Sequence, residues 1–369
     1  MGKKAVKGLF YGIIIAVTCA VAAITVLASF SGLYSPVESK LMPLLGLLVP
    51  VLLLVNLLLA VGWGLARKLW VAMPLLAILF HWNYLSAVLQ FHFWEELPPK
   101  VSPFRSDPRG FLTVATYNVC HFGDEVTGYS CKRMATFMKE ARIDVICFQE
   151  FGGNAAFPLD SIRKALSHWK YSVVDERAGQ SIRSVAVFSR FPLVNPRFIT
   201  YPQSMNCSMR CDLVLGTDTL RLLNNHLQTT SVNQNRKRWE AELSASDAKR
   251  EAKAMYGIAG TLHENFVRRA EQADTLCRLI EGSPYPVIAC GDFNSLPSSY
   301  TYHKVNSLLE DGFKTCGRGY MYTYRYGKRL LRIDYVFHDE KLKGFQYYSP
   351  EGDACSDHNP VVCTLELGT

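Results

Sequence analysis

Residues 9–30, LFYGIIIAVTCAVAAITVLASF, run for 22 positions without a charged side chain. As a helix rising about 1.5 Å per residue, that stretch covers the roughly 30 Å hydrocarbon core of a bilayer. Two more uncharged stretches follow, at 41–66 and 69–94. Residues 1–94 are therefore expected to be a membrane anchor of three transmembrane helices. A cleaved signal peptide is the competing reading of the first stretch, but 22 apolar residues exceed its usual core of about 7–15, and two further spans follow. Lys3, Lys4 and Lys7 precede the first span, Arg67 and Lys68 separate the second from the third, and the intervening loop carries only Glu38 and Lys40. The bias of Lys and Arg toward the cytoplasm then places everything after Glu95 on the extracytoplasmic face of the inner or plasma membrane. His81 and Asn83 are polar at membrane depth, but the aromatic residues around them suit an interfacial position equally well, and no function is assigned to them.

Residues 95–110, EELPPKVSPFRSDPRG, hold four prolines among polar residues and read as a stiff linker. A soluble domain is expected over 111–369. The net charge of +8 is modest for 369 residues and does not by itself argue for a nucleic-acid partner. None of the eleven cysteines forms a CxxC pair, which weighs against a zinc ribbon or a thioredoxin-like site. Cys147 and Cys290 fall in apolar runs and read as small buried hydrophobes, whereas Cys207 and Cys211 are close enough in sequence to suggest a local disulfide.

Within the soluble region, apolar runs repeatedly finish on a polar residue. FLTVATYN ends on Asn118, DVICFQE on Glu150, and PVIACGDFN carries Asp292 and Asn294. DLVLGTDTLRLLNNHL reads as a hairpin turning at 216–218, with His226 at the end of its second strand. LLRIDYVF offers Asp334, and CSDHNPVVCTLEL places Asp357 and His358 just before a last strand. Polar groups at strand ends gather on one rim of a sheet, where binding crevices form. Glu150, Asp292 and Asp357 are hard oxygen donors and Asn118 and Asn294 neutral ones, a mixture suited to Mg²⁺ or Mn²⁺. No His/Cys cluster accompanies them, which disfavours zinc. His226 and His358 are available for proton transfer, and Asp334 could orient one of them or simply pair with Arg332.

The segments TYNV, FQE, SVAVFSRFP, NNHL, GDFN, RIDYVF and SDHNP stand in the order and approximate spacing of the endonuclease/exonuclease/phosphatase (deoxyribonuclease I-like) superfamily, which residues 111–367 resemble. The resemblance implies an α/β fold, a four-layer α-β-β-α sandwich of two mixed sheets, here preceded by the three transmembrane helices. It implies Glu150 as the main metal ligand with Asn118 beside it, and Asp357 as a further ligand or organiser. Asp292 and Asn294 resemble the pair that positions the attacking water and contacts the phosphoryl oxygens. His358 resembles the general base or phosphate-polarising histidine held by Asp334, and His226 the histidine that protonates the leaving oxygen. The activity implied is metal-dependent hydrolysis of phosphate esters or anhydrides.

The substrate is read from the tether. A domain about 15 residues from its last span stays near the bilayer, which favours a lipid-linked phosphate or diphosphate, or a lipid head group. Superfamily members with several N-terminal spans and an external catalytic domain resemble this layout, and that resemblance implies a lipid-linked diphosphate. A membrane-anchored nuclease acting on DNA or RNA is the main alternative, with modest charge and no long basic run against it. A catalytically inactive binding module is a remote one, opposed by the complete set of site residues. YMYTYRYGKRLLR (320–332) suits a hairpin turning at Gly327 better than a nucleic-acid stacking surface. Residues 231–260, of mixed charge, read as an insertion with a solvated face, or as a lid or membrane contact. From 262 to 281 apolar residues recur at helical spacing, marking a helix that flanks a sheet. Arg190 is read as structural.

Overall fold

The computed structural model describes residues 3–91, 110–124, 126–175, 184–230, 248–326, 328–352 and 355–367. The expected linker, apart from Gly110, and residues 231–247 of the expected insertion lie outside them.

The N-terminal region is helical, as its composition demands. Helix α1 (Lys3–Ala28) and α2 (Leu41–Leu65) are each long and apolar enough to cross a membrane. They run antiparallel: Tyr11 meets Trp63 edge to face at one end, and Asn56 Nδ2 donates to Thr25 Oγ1 (2.7 Å) nearer the other. Trp63 Nε1 donates to Thr18 Oγ1 (2.9 Å) between them. Such bonds between helices in lipid are worth only about 0.6 kcal/mol each on average, so packing must do most of the joining. Leu54, Leu57, Leu58 and Val61 on α2 stay exposed, an apolar face suited to lipid. The third expected span is broken: α3 (Ala72–Leu79) and α4 (Trp82–Val88) meet at a bend of 68°. His81 sits at that bend, buried, with Nε2 2.8 Å from the Thr25 carbonyl oxygen. Its polarity therefore serves helix joining.

The rest of the described chain forms two six-stranded mixed sheets packed face to face. One contains β2 (Phe111–Asn118), β3 (Val145–Gln149), β4 (Tyr171–Val174), β5 (Val185–Ser189), β13 (Leu342–Tyr348) and β14 (Val361–Leu367), in the order β13-β14-β2-β3-β5-β4. The other contains β6 (Leu193–Thr200), β7 (Cys207–Leu215), β8 (Asp218–His226), β9 (Val287–Asp292), β10 (Glu310–Asp311) and β12 (Asp334–His338), in the order β10-β12-β9-β8-β7-β6. Alternate residues of the facing strands, among them Val114, Cys147, Val187, Leu222, Cys290 and Val336, fill the space between the sheets. Helices α5 (Tyr129–Glu140) and α6 (Leu159–Ala165) cover the first sheet, while α7 (Ala248–Glu281) and α8 (Tyr300–Asn306) cover the second. The layering is α-β-β-α.

Three expectations need correction. The helix expected from 262 is already formed at Ala248, where the described residues resume, and takes up the end of the expected insertion, where Ala, Lys and Glu favour helix. The hairpin expected over 320–332 shrinks, among the described residues, to the antiparallel bridge of Tyr324 with Leu331; its expected turn, Gly327, lies outside them. Cys207 and Cys211 form no disulfide with each other. They lie four residues apart on β7, about 13 Å along an extended strand, against the roughly 4.4–6.8 Å that a disulfide spans.

The helical region is fastened directly to the sandwich. Strand β1 (Leu89–Gln90), leaving α4, pairs antiparallel with β11 (Gly319–Tyr320). The Met321 amide donates to the Val88 carbonyl (2.8 Å), and Arg332 Nη1 donates to the Ala87 carbonyl (2.6 Å). Arg332 is fully buried and forks onto Asp311, at 2.6 and 2.7 Å. Between α1 and α2, Ser31 Oγ donates to the Ser298 carbonyl (2.8 Å) and Ser298 Oγ donates to the Gly46 carbonyl (2.7 Å).

Candidate active site

The polar strand ends meet on one rim between the sheets. The parallel pair β2 and β3 ends at Asn118 and Gln149, and the parallel pair β8 and β9 aligns His226 with Asp292. Strand β12 runs the other way, so Asp334 at its start lies opposite Asp292. Strand β14 is antiparallel to β2, so the turn before it delivers Asp357 and His358 to the same place. All eight residues read as candidates from the sequence border this rim; seven of them line one cleft of about 460 Å³, and Asp334 stands just behind His358.

Backbone detail explains the local motif. Gly291 has φ 136°, and a Cβ there would fall 1.9 Å from the Asn225 carbonyl oxygen of the neighbouring strand. Only glycine lets β9 lie this close to β8. Asn294 and Glu150 take positive φ, 49° and 48°, a region that non-glycine residues seldom adopt and that clusters at functional sites. The Asn294 amide donates to Asp292 Oδ1 (2.8 Å), and its side-chain Nδ2 donates to the Leu227 carbonyl (3.0 Å). That turn ties the ends of β8 and β9 together.

Asp292 is the hub. Its Oδ2 accepts from Asn118 Nδ2 (3.1 Å), lies 3.6 Å from His226 Nε2 and lies 3.8 Å from His358 Nε2. Glu150 Oε1 stands 3.7 Å from His226 Nε2, and Asp357 Oδ1 stands 3.8 Å from His358 Nε2. His358 Nδ1 faces both Asp334 oxygens, at 2.9 and 3.1 Å. Nδ1–H thus donates to Asp334, which turns Nε2 to the cleft. Tyr324 packs edge to face on the same imidazole at 5.2 Å. Arg332, the other partner open to Asp334, is instead taken by Asp311. Arg190 pairs with Asp144 at 2.8 Å, a structural contact.

Electrostatics favour a cation here. Burial pushes the Asp292 carboxyl up to about 7; His358 pulls it back down and Asp334 adds to the rise. Burial opposes the charge on His358, but Asp334, then Asp292 and Asp357, overrule it and raise the imidazole to about 10. Four carboxylates thus converge on one imidazolium and one further cation, Arg269, which also lines the cleft. One donor atom each from Asp292, Asp334 and His358 lies within 4.8 Å of the others. The Asp334–His358 hydrogen bond occupies two of those three, whereas Glu150 and Asp357, both partly exposed, and Asn118 beside them present oxygens to the cleft. That set fits a hard divalent cation.

Arg269 was not foreseen. It is 1% exposed and lies on the inward face of α7 with Phe266, Ala273 and Leu276. The sequence offers only an arginine at helical spacing among the residues that pack, which does not set it apart from the other polar residues of the helix. The cleft has another unexpected component: Ser31, Pro36, Pro43, Gly46 and Leu47, from the turn between α1 and α2 and the start of α2, form one of its walls.

A family model described as "Endonuclease/Exonuclease/phosphatase family" matches residues 115–358, well over half of the chain, and a model for a domain of unknown function (DUF8431) matches residues 11–88. None of the curated proteins matches. Among solved structures, an endonuclease/exonuclease/phosphatase from Bacteroides vulgatus is similar at 17% identity, covering 70% of this chain and 99% of that one, with a TM-score of 0.50. A family protein from Bacteroides thetaiotaomicron shares 17% identity over 70% of this chain and 98% of its own, with a TM-score of 0.49. A D. rerio TDP2 humanised by 14 mutations shares 16% identity over 69% of this chain and 98% of its own, also with a TM-score of 0.49. On the strength of the matched segment and the two packed sheets, the chain belongs to the endonuclease/exonuclease/phosphatase family and is a phosphoester hydrolase.

Proposed function

We propose that this protein is a membrane-anchored hydrolase that uses Mg²⁺ or Mn²⁺ to cleave a lipid-linked phosphate or diphosphate, or a lipid head group. Residues 1–94 serve as the anchor, 95–110 as the linker and 111–369 as the catalytic domain. The observation that carries the reading is the cleft wall: the turn between two membrane-crossing helices lines the same cleft as Asp292 and His358. A substrate held at the bilayer by an apolar tail would meet the site where Pro36, Pro43 and Leu47 offer it apolar surface. The basic residues Arg67 and Lys68 lie at the far end of α2 from this wall, which with the positive-inside rule supports a cleft on the extracytoplasmic side.

Glu150 and Asp357, with Asn118, would hold the metal, which when bound offsets negative charge on the phosphoryl oxygens. Asp292 and Asn294 orient the attacking water, and Asp292, between the two imidazoles, accepts its proton. His358, fixed by Asp334, directs Nε2 at a phosphoryl oxygen. His226 gives a proton to the leaving oxygen. Acid–base help of this kind contributes about 10² to 10⁴ in rate.

The cleft also holds Tyr324 and Tyr326, on which a base could stack, and that observation favours an anchored nuclease as the second reading. One experiment separates the two. Full-length protein in bilayer discs with Mg²⁺ or Mn²⁺ is assayed in parallel on lipid-linked phosphates, sphingomyelin-type lipids and DNA. Release of phosphate or of a phosphorylated head group from lipid alone supports the first reading, and nicked DNA alone replaces it with the second. Hydrolysis that persists in excess chelator removes the metal assignment.

A further inference from the structure

An arginine this deeply buried ordinarily has a carboxylate fork to match it, as Arg332 has in Asp311. Arg269 has none among the described residues: Nε and Nη2 are buried without a hydrogen-bond partner. Its guanidinium lies 5.1 Å over the Phe266 ring, and the residue lines the cleft. Burial pulls its ionisation down to about 10, Asp292 working against that, so it stays charged at neutral pH.

Its position is fixed from both sides along α7. Asn265 and Gln272, on the same face of the helix, grip the chain just after His226. Gln272 Oε1 accepts from the Gln228 amide (2.7 Å), Asn265 Oδ1 accepts from Gln228 Nε2 (3.0 Å), and Asn265 Nδ2 donates to the Thr230 carbonyl (3.2 Å). Arg269 stands between these two clamps, beside the residues that follow His226, on the opposite side of the reaction centre from the Asp334–His358 pair. In the proposed mechanism this is the side on which the leaving group departs.

We propose that Arg269 is the receptor for a second, non-scissile phosphoryl group on the leaving-group side, so that the site is built for substrates with two linked phosphates. The inference rests on the hydrolase reading above and narrows its substrate class. Unpaired guanidinium donors next to an acidic metal site repel nothing that such a substrate carries, and they complete their hydrogen bonds only when an anion arrives.

The test uses full-length protein in detergent with Mg²⁺ and two non-hydrolysable probes, methylenediphosphonate and methylphosphonate, measured by calorimetry. The wild type is expected to bind the diphosphonate at least tenfold more tightly. Arg269→Gln should lose about 10- to 100-fold on the diphosphonate and less than threefold on the monophosphonate, the worth of one charge-assisted pair. Arg269→Lys should fall between. Arg269→Met, which removes an uncompensated charge, should keep or raise the Tm of the unliganded protein. Equal losses on both probes, no preference in the wild type, or a large fall in Tm for Arg269→Met overturns the proposal. Hydrolysis of DNA alone, with the diphosphonate preference intact, would refute the lipid reading and leave this subsite standing.

Discussion

Gly291→Ala tests whether the approach of two strands sets the catalytic geometry. The added methyl would lie 1.9 Å from the Asn225 carbonyl oxygen, where ordinary contact begins at 3.4 Å. Neither atom sits at the end of a flexible side chain, so the backbones of β8 and β9 must part by about 1.5 Å at the step beside the His226–Asp292 pair. Overpacking of a tight interior costs about 1–3 kcal/mol, and alanine at φ 136° adds strain of about 1–3 kcal/mol. The 3.6 Å His226–Asp292 separation would widen by a comparable amount, and a misplacement of about 1 Å is worth roughly 100-fold in rate. Turnover, on whichever phosphoester the parallel assay shows to be cleaved, and Tm in detergent are measured together, with Gly216→Ala as the control. Gly216 also has positive φ, 69°, but nothing lies within 4 Å of its virtual Cβ. The control should lose about 1 kcal/mol and no activity. If Gly291→Ala turns over within threefold of wild type, strand spacing does not hold the site and the reasoning fails.

Glu150→Ala should abolish hydrolysis and leave the circular dichroism spectrum and Tm close to wild type, while His358→Ala should abolish hydrolysis with the circular dichroism spectrum retained and Tm lowered, because it strands the buried Asp334; wild-type-like turnover in either removes its assigned role. Asp311→Asn strands the buried Arg332 charge and should destabilise the protein by about 3–5 kcal/mol, read as a lowered Tm; an unchanged Tm would show that the pair does not hold the two regions together.

The two-sheet fold and the rim were legible because both follow from short-range pattern. Apolar strands ending on Asn118, Glu150, His226 and Asp292 leave their polar groups one place to gather, and the antiparallel strands starting near Asp334 and His358 bring theirs to it. Arg269 was hidden by the periodicity that revealed its helix: an arginine next to packing positions reads as one more polar residue, and only the tertiary structure shows it with unpaired nitrogens. The contact between anchor and sandwich left no trace either. Ser31, Gly46 and Ser298 are small residues meeting through carbonyl oxygens more than two hundred positions apart, and no local pattern encodes such a pairing. The bend at His81 was equally hidden, since the stretch from 69 to 88 carries no charge and neither glycine nor proline falls at the bend.

The backbone pairing of Leu89–Gln90 with Gly319–Tyr320, closed by Arg332 on the Ala87 carbonyl, has a kinetic consequence. An enzyme on a loose leash sweeps a volume above its bilayer and meets soluble molecules as readily as lipids. On the membrane-anchored reading proposed above, one riveted to its own spans keeps its mouth at a fixed height and orientation, and finds targets by lateral diffusion in two dimensions. Cutting the chain at residue 110 to obtain a soluble form would therefore remove part of the mouth itself.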